Sequence, residues 1–212
     1  MTLTLWLVYP AAFFLIGSIP NGYLIGQSRG IDIRKHGSGN IGATNVWRVM
    51  GRNFGLVAFA GDFLKGFLPL YLLHIISFSD SVYTGGSLLL LLCGIAVILG
   101  HNYTPWLGFK GGKGIATSAG VLGALMPWVF AVALSLWIIA TLVTRTVSIG
   151  SILAAVVLAP AAAWFYPGKW LYFYLATLAG GLAIWRHHSN IQRLLAGTES
   201  RFEFGSRKNK AP

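Results

Sequence analysis

The sequence has very few acidic residues: five Asp and Glu stand against 16 Lys and Arg in 212 residues. The chain therefore lacks the material for a metal centre built on clustered carboxylates, and we expect neither a metal ion nor another cofactor. It also has a single cysteine, Cys93, which excludes an intramolecular disulfide. Because Cys93 lies in an apolar run, we predict that it packs in the core.

Charged residues of both signs are scarce, at 10% of the chain, whereas soluble domains carry about 25%. The chain is 55% hydrophobic with a mean hydropathy of +0.67. These values predict an all-α integral membrane protein in which residues 1–212 form one domain. In a soluble protein a formal charge of +11 would indicate a nucleic-acid partner. Here we expect no nucleic acid, because cations anchor the cytoplasmic face and attract anionic substrates or lipid head groups.

Seven apolar runs predict seven transmembrane helices, since a bilayer span needs roughly 20 apolar residues. The predicted spans cover residues 3–25, 54–76, 85–100, 115–126, 128–144, 147–165 and 170–185. Pro20 is expected to break or kink the first span. That span has no basic segment before it and no convincing signal-peptidase site after it, so we interpret it as retained rather than cleaved.

The run from Ile115 to Thr144 is ambiguous, because its length as one helix would be about 45 Å, long for one crossing and short for two. Met126 and Pro127 offer a turn near its middle. Two spans place the basic loops and the basic C-terminal tail on one side of the membrane, whereas one span divides them. Positive residues prefer the cytoplasm, so we choose two spans, with an external N-terminus and a cytoplasmic C-terminus.

The main polar stretch, residues 34–52, combines glycines, hydroxyls, amides and cations without a carboxylate. Small residues let backbone N–H groups approach a ligand, and Arg48 adds a planar fork of donors. The neutral donors are Ser38, Asn40, Thr44 and Asn45. This composition suits phosphate oxygens. The alternative is a flexible cytoplasmic loop whose cations only determine membrane topology.

A second polar loop, residues 101–114, ends in Phe-Lys-Gly-Gly-Lys-Gly before a predicted helix. A glycine-rich turn entering a helix exposes unpaired N–H groups, which bind anions readily. The candidate phosphate ligands are Lys110, Gly111, Gly112, Lys113 and Gly114. The spacing fails the Walker A pattern, so nucleotide hydrolysis is not supported. The alternative is a basic loop that touches lipid phosphates.

Two further polar segments, residues 145–151 and 186–199, reach the same side of the membrane in this topology. Arg145, Ser148 and Ser151 are spaced by three residues, can share a helical face and are candidate phosphate ligands. The alternative is packing, which serine often serves in membrane helices. His187 and Asn190 are also three residues apart. His187 is a candidate proton carrier or phosphate partner.

The second predicted span contains two ionisable residues, Asp62 and Lys65, three positions apart. Such residues inside a membrane helix are a functional-site hypothesis by default. A structural ion pair is the alternative.

Together these motifs resemble those of the PlsY family, bacterial membrane acyltransferases that use acyl phosphate and glycerol 3-phosphate. The matching segments follow the family's order through residues 18–25, 37–48, 61–66, 100–102, 109–114, 145–148 and 186–199. Ile41 departs from the pattern, because the family often has proline there.

The resemblance implies seven helices with an active site facing the cytoplasm of a bacterial inner membrane. It implies transfer of a fatty acyl group from acyl phosphate to the 1-hydroxyl of glycerol 3-phosphate, the first acylation of phospholipid synthesis. The products are 1-acylglycerol 3-phosphate (lysophosphatidic acid) and inorganic phosphate. The expected partners are these substrates and membrane lipid, and we expect a functional monomer.

The resemblance also implies residue roles. The expected catalytic residues are Ser38, Arg48, His187 and Asn190. The glycines and lysines of residues 110–114 would bind glycerol 3-phosphate, and Glu199 would be more structural.

For such substrates we expect electrostatic catalysis, in which basic groups align both phosphates and neutralise charge on the leaving phosphate. The acceptor proton goes to His187 or to a substrate phosphate oxygen. A covalent acyl-enzyme at Ser38 is a third possibility, for which no paired base is visible. A transporter of a phosphorylated anion is a rival function, although no internal repeat is visible. A metal-dependent phosphatidyltransferase would need acidic residues that are less scattered.

Overall fold

The computed structural model describes residues 3–79 and 85–201, and within them the chain forms helices and turns without a β-strand. Part of the basic C-terminal tail that contributes to the predicted topology, residues 202–212, lies outside the described residues.

Ten α-helices account for most of the described residues. They are α1 (Leu3–Ser18), α2 (Asn21–Gln27), α3 (Ala43–Met50), α4 (Arg52–Ser79), α5 (Gly85–Asn102), α6 (Ile115–Leu125), α7 (Pro127–Thr144), α8 (Val147–Phe165), α9 (Trp170–Arg186) and α10 (His188–Leu195). Both predicted proline breaks are confirmed. Pro20 separates α1 from α2, and Met126 leaves the helical conformation before Pro127 begins α7.

Helix length agrees with only part of the predicted set of spans. Five described segments are long and apolar enough to cross a membrane: Leu5–Gln27, Arg52–Ile76, Leu88–Leu107, Pro127–Thr144 and Val147–Phe165. Helix α6 has 11 residues and α9 has 17. At 1.5 Å per residue α6 is about 17 Å long, roughly half the hydrocarbon thickness of a bilayer. Seven crossings and their orientation therefore stay a prediction.

The helices pack mainly as the pairs α1 with α5, α4 with α6, α7 with α8 and α8 with α9. Glycine permits the closest of these approaches. A Cβ on Gly66 would lie 2.4 Å from the Thr117 carbonyl oxygen, and one on Gly120 would lie 2.1 Å from that of Phe63. The backbones of α4 and α6 are therefore in direct contact, as small residues allow in membrane helices.

Apolar side chains fill the interior and also cover the outer faces of the long helices. Cys93 is fully buried in the main cluster, which confirms its predicted packing. Val143 and Trp164 expose about four fifths of their surface, at 79% and 81%. Helices that are apolar on all sides are typical of a membrane environment.

A smaller cluster fixes the first polar segment against the bundle. It consists of Ile33, Ile41, Val46 and Ala58, all buried. Ile41, where the PlsY family often has proline, is therefore an anchor of this loop.

The predicted pairing of Asp62 and Lys65 is present in the interior of the bundle. Lys65 Nζ lies 2.8 Å from Asp62 Oδ1 and donates to the Ile19 carbonyl at 2.7 Å. Asn21 Nδ2 donates to the same carboxylate oxygen at 3.0 Å. The pair thus holds α4 to the break between α1 and α2.

Removing one partner of this pair should destabilise the fold. In Asp62→Leu the buried Lys65 ammonium loses its counter-ion, and the expected cost is about 3–5 kcal/mol. Thermal unfolding in detergent measures the change. Asp32→Asn is the control, since the Asp32–Arg34 pair lies at the surface and such pairs contribute little. Equal melting temperatures for the two variants would contradict the structural role of Asp62.

Candidate active site

A cavity of about 570 Å³ brings the four predicted polar segments together. The lining residues that the sequence singled out are Ser38, Asn40, Thr44, Asn45, Arg48, Asp62, Lys113, Gly114, Ser148, Ser151, His187, Asn190 and Glu199. Lys65, Lys110, Gly111, Gly112 and Arg145 do not line it. The site is therefore assembled from segments that lie far apart along the chain, from Ser38 to Glu199, as the predicted topology leads us to expect.

Three helix N-termini open on this cavity, because the first residues of α3, α6 and α8 line it. In the described part of the chain, the first two N–H groups of each of these helices make no hydrogen bond. Unpaired N–H groups at a helix start carry partial positive charge and bind anions. The cavity is therefore lined by backbone donors as well as by cations.

Two asparagines organise the loop that carries Ser38. Asn45 is 2% exposed; its Oδ1 accepts from the Ser38 N–H at 2.8 Å, and its Nδ2 donates to the Asn40 carbonyl at 2.9 Å. Asn40 Oδ1 accepts from the Gly42 N–H at 2.8 Å. The predicted donor group of Asn45 is thus occupied by the loop itself, whereas Asn40 uses only its acceptor oxygen there.

The Ser38 hydroxyl and the Arg48 guanidinium are available, by contrast. Neither makes a hydrogen bond or an ion pair with any residue that the structure describes, and both line the cavity. An unpaired guanidinium at a cavity wall is suited to a bidentate anion. No base is hydrogen-bonded to Ser38 Oγ among the described residues.

The glycine pair of the second loop is held by the backbone, and the prediction of free N–H groups there is wrong. The Gly111 N–H donates to the Asn102 carbonyl at 3.1 Å, and the Gly112 N–H donates to that of His101 at 3.0 Å. The Arg186 guanidinium donates to both glycine carbonyls. The free donors lie further along, in the first turn of α6. Lys110 is exposed to solvent away from the cavity.

Glycine is nevertheless required at position 112. A Cβ there would lie 2.1 Å from Nε2 of His101. The glycine loop thus packs flat on the imidazole and delivers the next residue, Lys113, to the cavity.

A hydrogen-bonded chain of side chains fixes the second basic group. Lys113 Nζ donates to Asn190 Oδ1, and Asn190 Nδ2 donates to Glu199 Oε1 at 2.6 Å. Ser148 Oγ and Arg193 Nε also donate to this carboxylate, at 2.8 and 2.7 Å. Burial opposes ionisation, but these donors hold the pKa of Glu199 below its ordinary value. Glu199 therefore positions three side chains around the cavity.

Lys113 itself is an unusually acidic ammonium. Burial lowers its pKa to about 8, with the neighbouring Arg193, Arg186 and Arg48 adding to the effect and Glu199 opposing it. The group is thus charged at neutral pH, in surroundings that have more positive than negative charge.

His187 presents a proton acceptor to the same space. Its Nδ1 lies 2.7 Å from the Ala183 carbonyl, which places a proton on Nδ1 and leaves a lone pair on Nε2. Burial and then the Lys113 ammonium lower the pKa of His187 to about 4. The imidazole is therefore neutral at physiological pH.

Arg145 does not share a helical face with Ser148 and Ser151, and that prediction is wrong. Arg145 adopts a left-handed conformation with φ of 54° before α8 begins, and its side chain is exposed. Ser148 and Ser151 do line the cavity. Ser151 Oγ donates to the Val147 carbonyl at 3.0 Å and accepts from Trp137 Nε1 at 3.2 Å.

Sequence reasoning missed three polar residues of this region. Arg193 and His101 line the cavity, and Arg186 holds the glycine pair. All three lie within the segments that match the family motifs, which is the signal that could have identified them. The local sequence does not show whether such a residue holds the protein backbone or binds a ligand. Among the described residues no group of three or more His, Cys, Asp or Glu is placed to hold a metal.

Away from the polar end, the cavity wall is apolar. It is formed by side chains of α4, α6, α7, α8 and α9, including Phe59, Leu122, Phe130, Leu134 and Leu158. The cavity therefore combines an anion-binding end with a surface for an apolar chain.

The family model described as glycerol-3-phosphate acyltransferase matches residues 7–197. The chain belongs to this family.

Relatives confirm the assignment to the acyltransferases over nearly the whole chain. The glycerol-3-phosphate acyltransferase of Trichlorobacter lovleyi is 42% identical over 201 residues, covering 95% of this chain and 100% of the relative. That of Geobacter sulfurreducens is 40% identical over 197 residues, covering 93% and 97%.

Two solved structures of a family member are also similar. A crystal structure of the integral membrane acyltransferase PlsY (YgiH) in its glycerol 3-phosphate form has a TM-score of 0.83 and 39% identity, covering 93% of this chain and 96% of that one. Its lysophosphatidic acid form has a TM-score of 0.80 and 38% identity, covering 93% and 95%. The acyltransferase fold described above is thus that of an integral membrane protein.

Anion binding by this acyltransferase should weaken as Lys113 loses its proton. Sulfate keeps its charge between pH 7 and 9.5, so it isolates the protein's titration. Because the pKa of Lys113 is about 8 in the empty site, we expect sulfate affinity to fall about tenfold over this range. Ligand-induced shifts of melting temperature measure the affinity.

Lys113→Arg is the matched control for this titration, since a guanidinium stays charged. Its sulfate affinity should be nearly independent of pH. A parallel fall in both proteins would assign the loss to another group.

Proposed function

We propose that this chain transfers a fatty acyl group from acyl phosphate to the 1-hydroxyl of glycerol 3-phosphate, releasing 1-acylglycerol 3-phosphate and inorganic phosphate. One observation carries the proposal: a single cavity combines an end rich in cations and free N–H groups with apolar walls. Both substrates bear a phosphate, and one also bears a long apolar chain. The glycerol 3-phosphate and lysophosphatidic acid forms of the solved relative support these ligands.

The donors fall into two groups, which we assign to two phosphates. Ser38, Thr44, Arg48 and the start of α3 form one. Lys113 and the starts of α6 and α8 form the other, beside His187. Placed in this way, the two substrates neutralise a cluster of positive charge that the protein leaves uncompensated. Alignment of the reacting groups then supplies much of the rate enhancement.

In the reaction the acceptor oxygen attacks the acyl carbonyl carbon, and the bond from that carbon to the phosphate oxygen breaks. The leaving phosphate takes up negative charge, which Arg48, Lys113 and the helix N-termini stabilise. The acceptor proton passes to Nε2 of His187 or to a phosphate oxygen. The lone pair on Nε2 supports the first route, and the nearby anionic substrates would raise the basicity of His187 above that in the empty site.

A direct transfer is favoured over an acyl-enzyme on Ser38. A serine nucleophile needs an adjacent base, and the described residues offer none within hydrogen-bonding distance of Ser38 Oγ. The neighbouring helix N-terminus of α3 suits a hydroxyl that donates to phosphate.

We also propose the predicted topology: seven spans in a bacterial inner membrane, with the cavity open to the cytoplasm. Arg48, Lys113 and Arg193 line the cavity, whereas Lys169 follows α8 at its far end. This distribution agrees with the preference of cations for the cytoplasm. One chain supplies residues of all four polar segments to the cavity, which supports activity as a monomer.

Purified protein, synthetic acyl phosphate and glycerol 3-phosphate test the activity in the presence of a chelator. We expect phosphate release that depends on glycerol 3-phosphate and equals the lysophosphatidic acid formed. Arg48→Ala should lower kcat/KM by about 100-fold or more, as for loss of a donor to a developing anion. Lys110→Ala is the matched control, because that cation does not line the cavity. No release dependent on glycerol 3-phosphate would exclude the proposed reaction.

The fate of the proton and the role of Ser38 can be separated. If His187 is the base, His187→Ala should lower kcat by about 10²–10⁴-fold, whereas substitution of the exposed His188 by Ala should not change kcat.

Rapid acid quenching followed by mass spectrometry should find no acyl group on Ser38. Normal turnover in His187→Ala would assign the proton to the substrate phosphate, and an acylated Ser38 would establish the covalent route.

A further inference from the structure

His101, the penultimate residue of α5, is a buried histidine that the mechanism above does not use. It is 4% exposed and yet lines the cavity. Its Nδ1 lies 2.9 Å from Lys65 Nζ and 3.5 Å from Asp62 Oδ1. Its Nε2 makes no hydrogen bond with any residue that the structure describes.

The partners of Lys65 determine where His101 carries its proton. An ammonium has three N–H donors and no lone pair. Lys65 Nζ has three acceptors around it: the Ile19 carbonyl at 2.7 Å, Asp62 Oδ1 at 2.8 Å and His101 Nδ1 at 2.9 Å. Nδ1 must therefore accept, and the imidazole is neutral with its proton on Nε2.

The Nε2–H group lies beside the glycine loop that precedes α6. It lies against Gly112, where a Cβ would come within 2.1 Å of Nε2. Nε2 is not among the buried polar atoms that are sealed from solvent without a partner. Since His101 lines the cavity, the opening onto which Nε2 faces is the cavity, next to Lys113 and the free N–H groups of α6.

We propose that the His101 Nε2–H group binds a phosphate oxygen of the substrate held at the start of α6, and that the Asp62–Lys65 pair fixes its tautomer and orientation. This inference deepens the proposed function and rests on it. His101 is then a substrate-binding residue, and Asp62 and Lys65 are positioning residues that act through it.

The two buried histidines of the cavity thereby have complementary roles. His187 bonds a carbonyl through Nδ1–H and presents a lone pair on Nε2. His101 accepts at Nδ1 and presents Nε2–H. One is arranged to take a proton, while the other can only donate a hydrogen bond.

Two variants of similar size separate the donor from the packing. His101→Gln keeps an amide N–H about as far along the side chain as Nε2, and His101→Phe keeps the flat ring but has no donor. We expect His101→Phe to weaken binding of inorganic phosphate by about 10- to 100-fold, as for a lost hydrogen bond to a charged group. His101→Gln should stay within about threefold of the unmodified protein. In turnover, the KM for one phosphorylated substrate should rise in His101→Phe more than kcat falls.

A measurement on the unmodified protein does not depend on the folding of either variant. With ¹⁵N-labelled histidine, His101 should show a protonated Nε2 and an unprotonated Nδ1, and its Nε2 resonance should shift when inorganic phosphate is added. Equal phosphate affinities in the two variants, with equal loss of melting temperature, would overturn the proposal in favour of a packing role. A His101 Nε2 resonance that does not shift when inorganic phosphate is added would also overturn the proposal.

Failure of this inference can be distinguished from failure of the proposed function. Phosphate binding is measured without acyl transfer. An enzyme that turns over normally in His101→Phe contradicts the role of His101 alone. A protein that binds phosphate through His101 but transfers no acyl group contradicts the proposed reaction alone.

Discussion

Positive charge that the protein does not neutralise is the constraint on which this structure depends. Arg48, Lys113 and Arg193 approach one cavity that also receives three helix N-termini, and Glu199 is the carboxylate bonded into that network. Burial, and after it the neighbouring arginines, make the charged form of Lys113 unfavourable, which lowers its pKa to about 8. An anionic substrate offsets this effect. Binding energy and catalytic electrostatics thus have the same origin.

Hydrogen bonds among the polar groups around the cavity hold the surrounding structure in place. Asn45 accepts a hydrogen bond from the Ser38 N–H group, and Arg186 donates to the carbonyls of the glycine pair. The Glu199 carboxylate accepts hydrogen bonds from Ser148, Asn190 and Arg193. Two of these contacts join segments distant in sequence, Arg186 to Gly111 and Ser148 to Glu199, and the others close the local loops. Among the described residues, the Arg48 guanidinium is left without a hydrogen bond or an ion pair, and it lines the cavity.

The sequence predicted the parts of this architecture that depend on local or summed properties. Apolar run length predicted the long helices, and proline predicted the breaks at residues 20 and 127. Charge asymmetry predicted that the four polar segments could meet, and residues of all four line one cavity. The hydrogen-bond partners of individual residues could not be predicted from the sequence. Nothing near Gly111 and Gly112 shows that their N–H groups meet the backbone at the end of α5, or that Arg145 lies outside the helix that carries Ser148.

The same limit applies to histidine, whose chemistry depends on what touches each ring nitrogen. In the sequence, His101 and His187 are equivalent members of two motifs. In the structure, a carbonyl fixes one tautomer and an ammonium fixes the other. The intramembrane pair of Asp62 and Lys65, which could be structural or functional from sequence, is then both. It stabilises the bundle because its charges are paired, and because Lys65 has a third N–H to give, it also determines which hydrogen-bonding group His101 turns toward the cavity.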